Sequence, residues 1–275
     1  MAVADASGTV LARAQGGPAN IATDYTMARE NIIAAMHCAW QQAGRELDSM
    51  NSAACVLGLA GANVGQFATQ MKDSLPFRDC IVTDDRATTV EGALGSVDGC
   101  IAVVGTGSFY SSRYNGVSKN IGGWGFLVGD DGGGARLGQE LLRRVIHCYD
   151  GIHQHSELTR KILSGFDNSP QALVEFAMKA RANDFGSFVP VIVDAARAGD
   201  IQAVALVHAT VEAIQTCIDK VGYIPSSKLY LLGGLGPILR EFMQAGYSAA
   251  SIHPRGDALS GAISMAQQLL NSEKS

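Results

Sequence analysis

The chain has 275 residues, of which 47% are hydrophobic and 17% charged, a composition typical of a soluble globular protein with one large domain or two ordinary ones. Its formal net charge is −5 and no run of lysine or arginine stands out, so no nucleic-acid partner is expected. No apolar run approaches the roughly 18 residues needed to span a bilayer, and MAVADASG lacks the basic and apolar regions of a secretory signal, so we expect a cytoplasmic protein without a membrane partner.

Strands alternate with helices over the first hundred residues. MAVAD and TVLARA, separated by a turn at 6–8, predict a β-hairpin. A helix is predicted from about Thr26 to Ala43, because apolar residues recur there with helical spacing. Two buried strands are then predicted in ACVLGLAG and CIVTDD, followed by helices over about 64–74 and in ATTVEGALG, respectively.

The second half begins near residues 95–100. CIAVVGTGS at 100–108 predicts a third buried strand, and the Asn115-Gly116 pair predicts a type I′ hairpin after it. Beyond this hairpin the pattern predicts a helix from Ala135 to about Tyr149, consecutive helices over 155–222, a strand in KLYLLGGLG, a helix, a short strand near 249–253 and a last helix from about Gly256 to Leu270. This order indicates an α/β chain of two halves.

The six cysteines form no C-x-x-C pair, and most lie inside apolar runs. We therefore expect buried free thiols in a reducing compartment. Zinc or iron–sulfur ligands need closer spacing, so no metal-ligating residue is assigned.

Three apolar strands, CIVTDD, CIAVVGTGS and KLYLLGGLG, end in polar or glycine-rich residues. Ligands of open α/β sheets bind at the carboxyl ends of strands, so we expect these ends to converge on a cleft. GTGS, at 105–108, is a candidate phosphate site because small residues let backbone N–H groups approach a phosphate. A tight strand-to-hairpin turn needs glycine as well, and both interpretations stay open. The P-loop pattern is absent, and GGLGPIL lacks the third glycine of the dinucleotide-binding fingerprint.

Two adjacent acidic pairs are candidates for chemistry. Asp84, at the end of CIVTDD, is a candidate general base toward a hydroxyl. Asp85 suits a helix N-cap, so we expect Asp84 to face the cleft and Asp85 to cap. In GGWGFLVGDDGGGARLG, at 122–138, Trp124 offers a flat face for a sugar ring, and Asp130 and Asp131 either accept bonds from sugar hydroxyls or cap the following helix.

Taken in order, these segments resemble the N-acetylglucosamine kinase family of the sugar kinase, hsp70 and actin superfamily. The most specific match is GTGS followed by GGWGFLVGDDG, and GLAGAN, TDD, GGLG and GDALSGA fit the same order. The resemblance implies two ribonuclease-H-like (actin-like ATPase) domains with an interdomain cleft. These would span 1–98 and 99–275, with a helical insertion at about 155–222 in the second and the C-terminal helix packing back on the first.

The same resemblance implies an ATP- and Mg²⁺-dependent kinase that phosphorylates N-acetylglucosamine or glucosamine at the 6-hydroxyl. Asp84 corresponds to the family's catalytic base. The residues that correspond to sugar-binding positions are Asn20, Gly107, Gly123, Trp124 and Asp130. Those that correspond to the second phosphate loop and the adenosine loop are Gly105, Thr106, Gly107, Gly233 and Gly234.

One departure from the family pattern concerns its first strand, which carries a D-G-G-G-T phosphate loop. This chain opens on MAVADASGTVLARA, which resembles the family's second strand onward, and no DGGGT occurs in it. The sequence then either starts at an internal methionine or is a naturally shortened member. We expect an exposed strand edge, a weakened Mg·ATP site and low or no kinase activity, with sugar binding retained.

Two other functions stay open. One is an ATPase activator of 2-hydroxyacyl-CoA dehydratases, which would bind an iron–sulfur cluster between subunits. The other is a non-catalytic sugar sensor, favoured by the absent first loop. The sequence also leaves open whether the aminosugar is acetylated or free, with Asp131 a candidate partner for a free ammonium. The helices at 155–222 offer surface for a homodimer.

Overall fold

The structure is a computed structural model that describes residues 1–250 and 253–272. The chain divides into two compact units. The first comprises Met1–Val97 together with Pro254–Ser275, and the second is Asp98–His253. The last helix of the chain therefore belongs with the first unit.

Among the described residues, the first unit contains two small sheets, four α-helices and a 3₁₀ helix (Leu47–Ser52). Strands β1 and β2 form an antiparallel hairpin, and β3 and β4 form a parallel pair. The elements in chain order are β1 (Ala2–Ala4), β2 (Val10–Arg13), α1 (Tyr25–Gln42), β3 (Ala54–Gly58), α2 (Phe67–Asp73), β4 (Asp79–Thr83) and α3 (Asp85–Leu94), with the last helix of the chain closing the unit. The hairpin, the strands and the helices predicted for this half are confirmed to within a few residues.

The second unit is built on one four-stranded sheet and a group of helices. Its elements are β5 (Gly99–Val104), β6 (Ser108–Tyr114), β7 (Val117–Gly122), α4 (Gly134–Tyr149), α5 (Glu157–Ser164), α6 (Pro170–Lys179), α7 (Ala182–Gly186), α8 (Val189–Arg197), α9 (Ile201–Val221), β8 (Lys228–Leu232), α10 (Gly236–Leu239) and α11 (Ala245–Ser248). Helix α12 (Ala258–Ser272) returns to the first unit. The strand predicted near 249–253 is wrong at its described positions, since 249, 250 and 253 are not in a strand, and 251–252 lie outside the described residues.

The sheet of the second unit has the strand order β7-β6-β5-β8, with β5 and β8 parallel and the other pairs antiparallel. Asn115 and Gly116 form the two-residue turn between β6 and β7, with φ angles of 50° and 75°. Positive φ at both central positions is what a type I′ turn requires, so this prediction is confirmed. The parallel β5–β8 pair brings the ends of two strands, GTGS and GGLG, to the same edge of the sheet.

Helix α9 has the length and composition of a membrane-crossing helix, with 21 mostly apolar residues. Helix α9 is therefore an exception to the expectation that no apolar run approaches the length of a membrane span. Val211, Ile214 and Ile218 on this helix are buried in the core of the second unit. An apolar helix beneath a sheet satisfies the same composition rule as a membrane span.

In the first unit, helices α3 and α12 lie so close together that their backbones are in contact. An added Cβ at Gly261 would overlap the carbonyl oxygen of Thr88, and one at Gly92 would overlap that of Asp257. The two glycines thus allow the C-terminal helix to lie directly on α3. This contact supports α3, whose N-cap is Asp84.

The sheets of the first unit are separate. Within the described ranges, β1 pairs only with β2, and β3 pairs only with β4. A cavity of about 180 Å³ is lined by residues 1–6 on the β1 side and 52–56 on the β3 side. An unpaired strand edge therefore lies on each side of this cavity.

Candidate active site

The GTGS turn of the second unit is held against the start of α4 by its carbonyl groups. The carbonyl oxygen of Gly105 accepts from Gly134 N at 2.8 Å, and that of Thr106 accepts from Ala135 N at 2.9 Å. In the part of the chain that the structure describes, the N–H groups of Thr106 and Gly107 have no hydrogen-bond partner. A turn whose carbonyl groups are bound and whose N–H groups are unused suits an anion.

The GGLG loop lies beside this turn. Gly233 has a φ angle of 79°, and an added Cβ there would overlap the carbonyl oxygen of Val104. The same carbonyl accepts from Leu235 N at 2.9 Å. The backbone N of Gly234 would lie 4.0 Å from a Cβ added to Gly105. The predicted phosphate and adenosine loops thus meet at one edge of the sheet.

Asp130 is buried, with 8% of its surface exposed, and its φ of 62° lies in the left-handed region. Non-glycine residues seldom adopt this conformation, which aspartate and asparagine tolerate best, and such residues cluster at functional sites. Its Oδ2 lies so close to Gly107 that an added Cβ there would overlap it. Burial raises the pKa of the Asp130 carboxyl, partly offset by the backbone N–H groups of Ser108 and Gly125.

Asp131 is exposed, but its backbone is fixed. Its carbonyl oxygen accepts from Ser108 Oγ and from the buried Tyr110 hydroxyl, each at 2.7 Å. The N-cap of α4 is Gly133, without a side-chain cap. Neither aspartate therefore caps this helix, and of the two interpretations of the pair the capping one is wrong.

Trp124 presents its ring at the surface, with 65% of the residue exposed. The residue before it, Gly123, donates its N–H to the carbonyl oxygen of Ser108 at 2.9 Å, which ties the loop to the end of GTGS. Strand β6 thus links the GTGS turn, with Gly107, to the loop that carries Gly123, Trp124 and Asp130. The second unit holds eight of the predicted site residues in three neighbouring loops: Gly105, Thr106, Gly107, Gly123, Trp124, Asp130, Gly233 and Gly234.

Asp84 and Asn20 belong to the first unit. Asp84 is the N-cap of α3, and its Oδ1 accepts from Arg86 N at 2.9 Å and Ala87 N at 3.3 Å. Its Oδ2 pairs with Arg86 Nη2 at 2.7 Å, and Arg86 is buried. The prediction that Asp85 caps the helix is wrong, because the helix begins at Asp85, one residue earlier than expected. Desolvation, followed by the neighbouring Asp84 charge, raises the pKa of Asp85, although part of the residue stays exposed.

Asn20 forms a local turn near the end of β3. Its Oδ1 accepts from Ala22 N at 3.0 Å and from Thr23 N at 3.1 Å. An added Cβ at Gly61 would lie 2.8 Å from this oxygen, so Asn20 lies against the GLAGAN loop. Leu59, at the start of that loop, donates its N–H to the carbonyl oxygen of Thr83, next to Asp84. The two predicted residues of this unit are therefore linked through adjacent strand ends.

Sequence reasoning missed the arginines that organise both acidic segments. Arg86 follows Asp84 by two residues, and Arg136 follows Asp130 by six. An arginine in the first turn of a helix opposes the helix dipole, which is a signal that could have marked both positions. Among the described residues no cluster of three or more His, Cys, Asp or Glu side chains is arranged to hold a metal ion. Four cysteines are buried as expected, Cys217 is half-buried, and Cys38 is exposed.

Solved structures place the chain in the α/β class with an actin-like ATPase fold, which confirms the predicted fold class. A proposed N-acetylglucosamine kinase from Porphyromonas gingivalis superposes with a TM-score of 0.65 at 18% identity, over 97% of this chain and 94% of that one. A ROK family glucokinase from Streptomyces griseus gives a TM-score of 0.50 at 14% identity, over 97% and 94%. At these identities the likeness shows the fold alone.

Within that class, the chain belongs to the BadF/BadG/BcrA/BcrD ATPase family, which it matches over residues 1–235. The glucosamine kinase GspK of Vibrio cholerae is 26% identical, over 94% of this chain and 88% of its own length. A proposed N-acetylglucosamine kinase from Chromobacterium violaceum is 31% identical, with a TM-score of 0.83 over 94% of this chain and 91% of its own. The N-acetyl-D-glucosamine kinase of Dictyostelium discoideum is 30% identical, over 54% and 50%.

Proposed function

We propose that this chain is an ATP-dependent aminosugar kinase that transfers the γ-phosphoryl group to the 6-hydroxyl of N-acetylglucosamine or glucosamine. The observation that carries the proposal is the second-unit site, where a turn with unused N–H groups lies against a buried aspartate in a strained conformation. The kinase names of the family relatives support the same chemistry. Phosphoryl transfer depends chiefly on positioning and charge stabilisation, and such a site can provide the positioning.

In this proposal each loop has one task. Thr106 and Gly107 donate backbone N–H groups to ATP phosphates, and Gly233 and Gly234 hold the adenosine. Trp124 flanks the sugar ring, while the Asp130 carboxylate accepts bonds from sugar hydroxyls. Gly123 and Gly107 leave room beside them, and Asn20 contributes a further bond to the sugar.

Asp84 is the proposed general base toward the 6-hydroxyl. Its carboxylate already accepts four hydrogen bonds, two on each oxygen, so accepting a substrate proton requires Arg86 to release Oδ2. Asp85 is the second candidate for this role, because a raised carboxyl pKa brings a general base closer to neutral pH.

The unused N–H groups of the second unit suit ATP phosphates, but no cluster of three or more His, Cys, Asp or Glu side chains among the described residues is arranged to hold Mg²⁺. The proposed cofactors are therefore ATP, bound by the glycine loops, and Mg²⁺, which ATP phosphates commonly carry with few protein ligands. Because no DGGGT segment occurs in these 275 residues, we propose that they bind Mg·ATP weakly and turn over slowly.

Coupled ADP release with N-acetylglucosamine, glucosamine and glucose tests this function. We expect slow release with an aminosugar and formation of its 6-phosphate, identified by phosphorus NMR. Aminosugar binding by calorimetry without any ADP release would instead support a non-catalytic sensor. The proposal would be contradicted if none of the three sugars binds and none of them causes ADP release.

The aminosugar and the assembly state are parts of the same proposal. Asp131 is exposed beside the buried Asp130, so a free ammonium group can pair with it. We therefore expect Asp131→Asn to weaken binding of glucosamine but not of N-acetylglucosamine.

The enzyme is proposed to be cytoplasmic. It is also proposed to form a homodimer, which light scattering will test.

A further inference from the structure

In the loop from Trp124 to Asp130, Phe126 packs against Phe185 and the core of the second unit. The Gly125 N–H also donates to the Asp130 carboxyl, but the segment after Phe126 has little packing of its own. The loop's internal backbone hydrogen bonds join Val128 N and Gly129 N to the carbonyl oxygen of Gly125, at 3.4 and 2.9 Å. Leu127 and Val128 are 88% and 83% exposed, so core packing does not fix them. A loop with few buried contacts opens easily unless another group restrains it.

Arg136, in the first turn of α4, supplies that restraint from outside the loop. Its Nη2 donates to the carbonyl oxygens of Phe126 at 3.1 Å and Gly129 at 2.8 Å. Its guanidinium lies 5.5 Å from the centre of the Phe126 ring, and its Nη1 donates to Gln139 Oε1 at 3.0 Å. One side chain thus holds both ends of the exposed Leu127–Val128 segment.

The stability of α4 does not explain an arginine at this position. A positive charge in the first turn opposes the helix dipole. In addition, Arg136 Nε is buried and has no hydrogen-bond partner among the described residues, which costs free energy. The contacts that Arg136 does make are directed to the loop that carries Trp124 and Asp130.

We infer that Arg136 is a positioning residue, which fixes the 124–130 loop so that Trp124 and Asp130 hold the sugar. The sugar-binding part of this inference rests on the proposed function. A guanidinium is required because Nη2 donates to the two loop carbonyl oxygens while Nη1 holds Gln139 and the planar face lies over an aromatic ring. Lysine keeps the charge but not this geometry.

The test compares Arg136→Met and Arg136→Lys with Arg143→Met. Arg143 lies on the same helix and is exposed, with Glu140 as its partner. For Arg136→Met we expect amide hydrogen exchange in 124–130 to become about tenfold faster or more, since the restraining bonds are lost. The Kd for aminosugar should rise about tenfold, while the Kd for Mg·ATP stays unchanged. Arg136→Lys should lie near Arg136→Met, and Arg143→Met near the wild type.

Calorimetry with N-acetylglucosamine and glucosamine keeps the readout independent of turnover. Unchanged exchange and unchanged sugar affinity in Arg136→Met would overturn the inference, as would wild-type behaviour of Arg136→Lys. An equal loss of sugar and Mg·ATP affinity would mean general damage and would also overturn it. If the wild type binds neither aminosugar, the proposed function and the sugar-binding part of the inference both fail, and hydrogen exchange still decides whether Arg136 fixes the loop.

Discussion

The chain contains two pairs of consecutive aspartates near helix N-termini, Asp84–Asp85 and Asp130–Asp131. The two pairs differ in backbone conformation and in hydrogen bonding. Asp84 is a helix cap with all of its acceptor positions engaged by nearby N–H donors. Asp130 is buried in a left-handed conformation and caps nothing. Identical dipeptides thus perform different tasks because their backbones differ.

The difference begins with the residues that follow each pair. Asp84–Asp85 continues directly into helix-forming residues, so the first aspartate becomes the cap. Asp130–Asp131 is followed by three glycines, and Gly132 turns with a φ of 83° before the helix starts. That turn directs the Asp130 carboxylate toward GTGS instead of toward the helix N-terminus. The side chains of the second pair are therefore not engaged by a helix N-terminus.

Removing the two carboxylates of the first pair one at a time tests which of them acts as the general base. Asp84→Asn should lower kcat by about 10² to 10⁴, the usual contribution of a general base, with a much smaller change in the Kd for sugar. An amide still caps a helix, so Asp84→Asn should fold. Coupled ADP release measures the effect.

Asp85→Asn is the matched variant for that experiment. It removes the same charge one residue further on and should leave kcat within a few-fold of the wild type. If Asp85→Asn loses the larger factor, the base is Asp85, and Asp84 is a structural cap only.

The position of the Asp130 carboxylate depends on the absence of a side chain at Gly107. Gly107→Ala would place a methyl group where the Asp130 carboxylate lies, so the carboxylate must move. We expect the Kd for aminosugar to rise by about tenfold or more, equivalent to at least ~1.4 kcal/mol. Calorimetry measures this change.

Gly246→Ala is the control, because an added Cβ at Gly246 meets nothing within 4 Å. It should bind sugar as the wild type does. A Gly107→Ala protein that binds sugar normally would show that Asp130 does not need its present position.

Much of this architecture was predictable from local pattern, and the comparison of the two pairs shows where prediction stops. The apolar strands, the Asn115-Gly116 turn and the positions of the glycine loops follow from periodicity and turn chemistry. The capping residue was misplaced by one position, because either aspartate of VTDD satisfies the same capping rule. The proximity of Gly107 to Asp130 and the bonds from Arg136 to loop carbonyl groups are non-local, so no sequence window contains them.

A third prediction concerns the backbone that fixes the second pair. Tyr110 is buried, and its hydroxyl donates to the Asp131 carbonyl oxygen at 2.7 Å. Tyr110→Phe keeps the ring but leaves that carbonyl with Ser108 as its remaining side-chain donor. We expect the free energy of unfolding to fall by about 1 kcal/mol, the usual net value of a hydrogen bond. Urea unfolding measures the loss, and no loss would mean that Ser108 alone holds the turn.

The smallest expected effect is the pH dependence of stability due to Asp130. Burial raises the pKa of this carboxyl above its ordinary value of 3.8 in the folded protein. Between that value and the raised one, the folded chain holds a proton that the unfolded chain has released. Asp130 therefore makes the free energy of unfolding fall as pH rises through this interval, and the penalty persists at neutral pH.

Asp130→Asn removes this titration, and asparagine also tolerates the left-handed conformation. Urea unfolding across the acidic range should show the variant gaining stability relative to the wild type as pH rises. Asp131→Asn controls for the change in net charge. The opposite slope would mean that the folded site stabilises the ionised carboxylate, in which case donors near Asp130 outweigh its burial and the site is already arranged for an anion before any sugar binds.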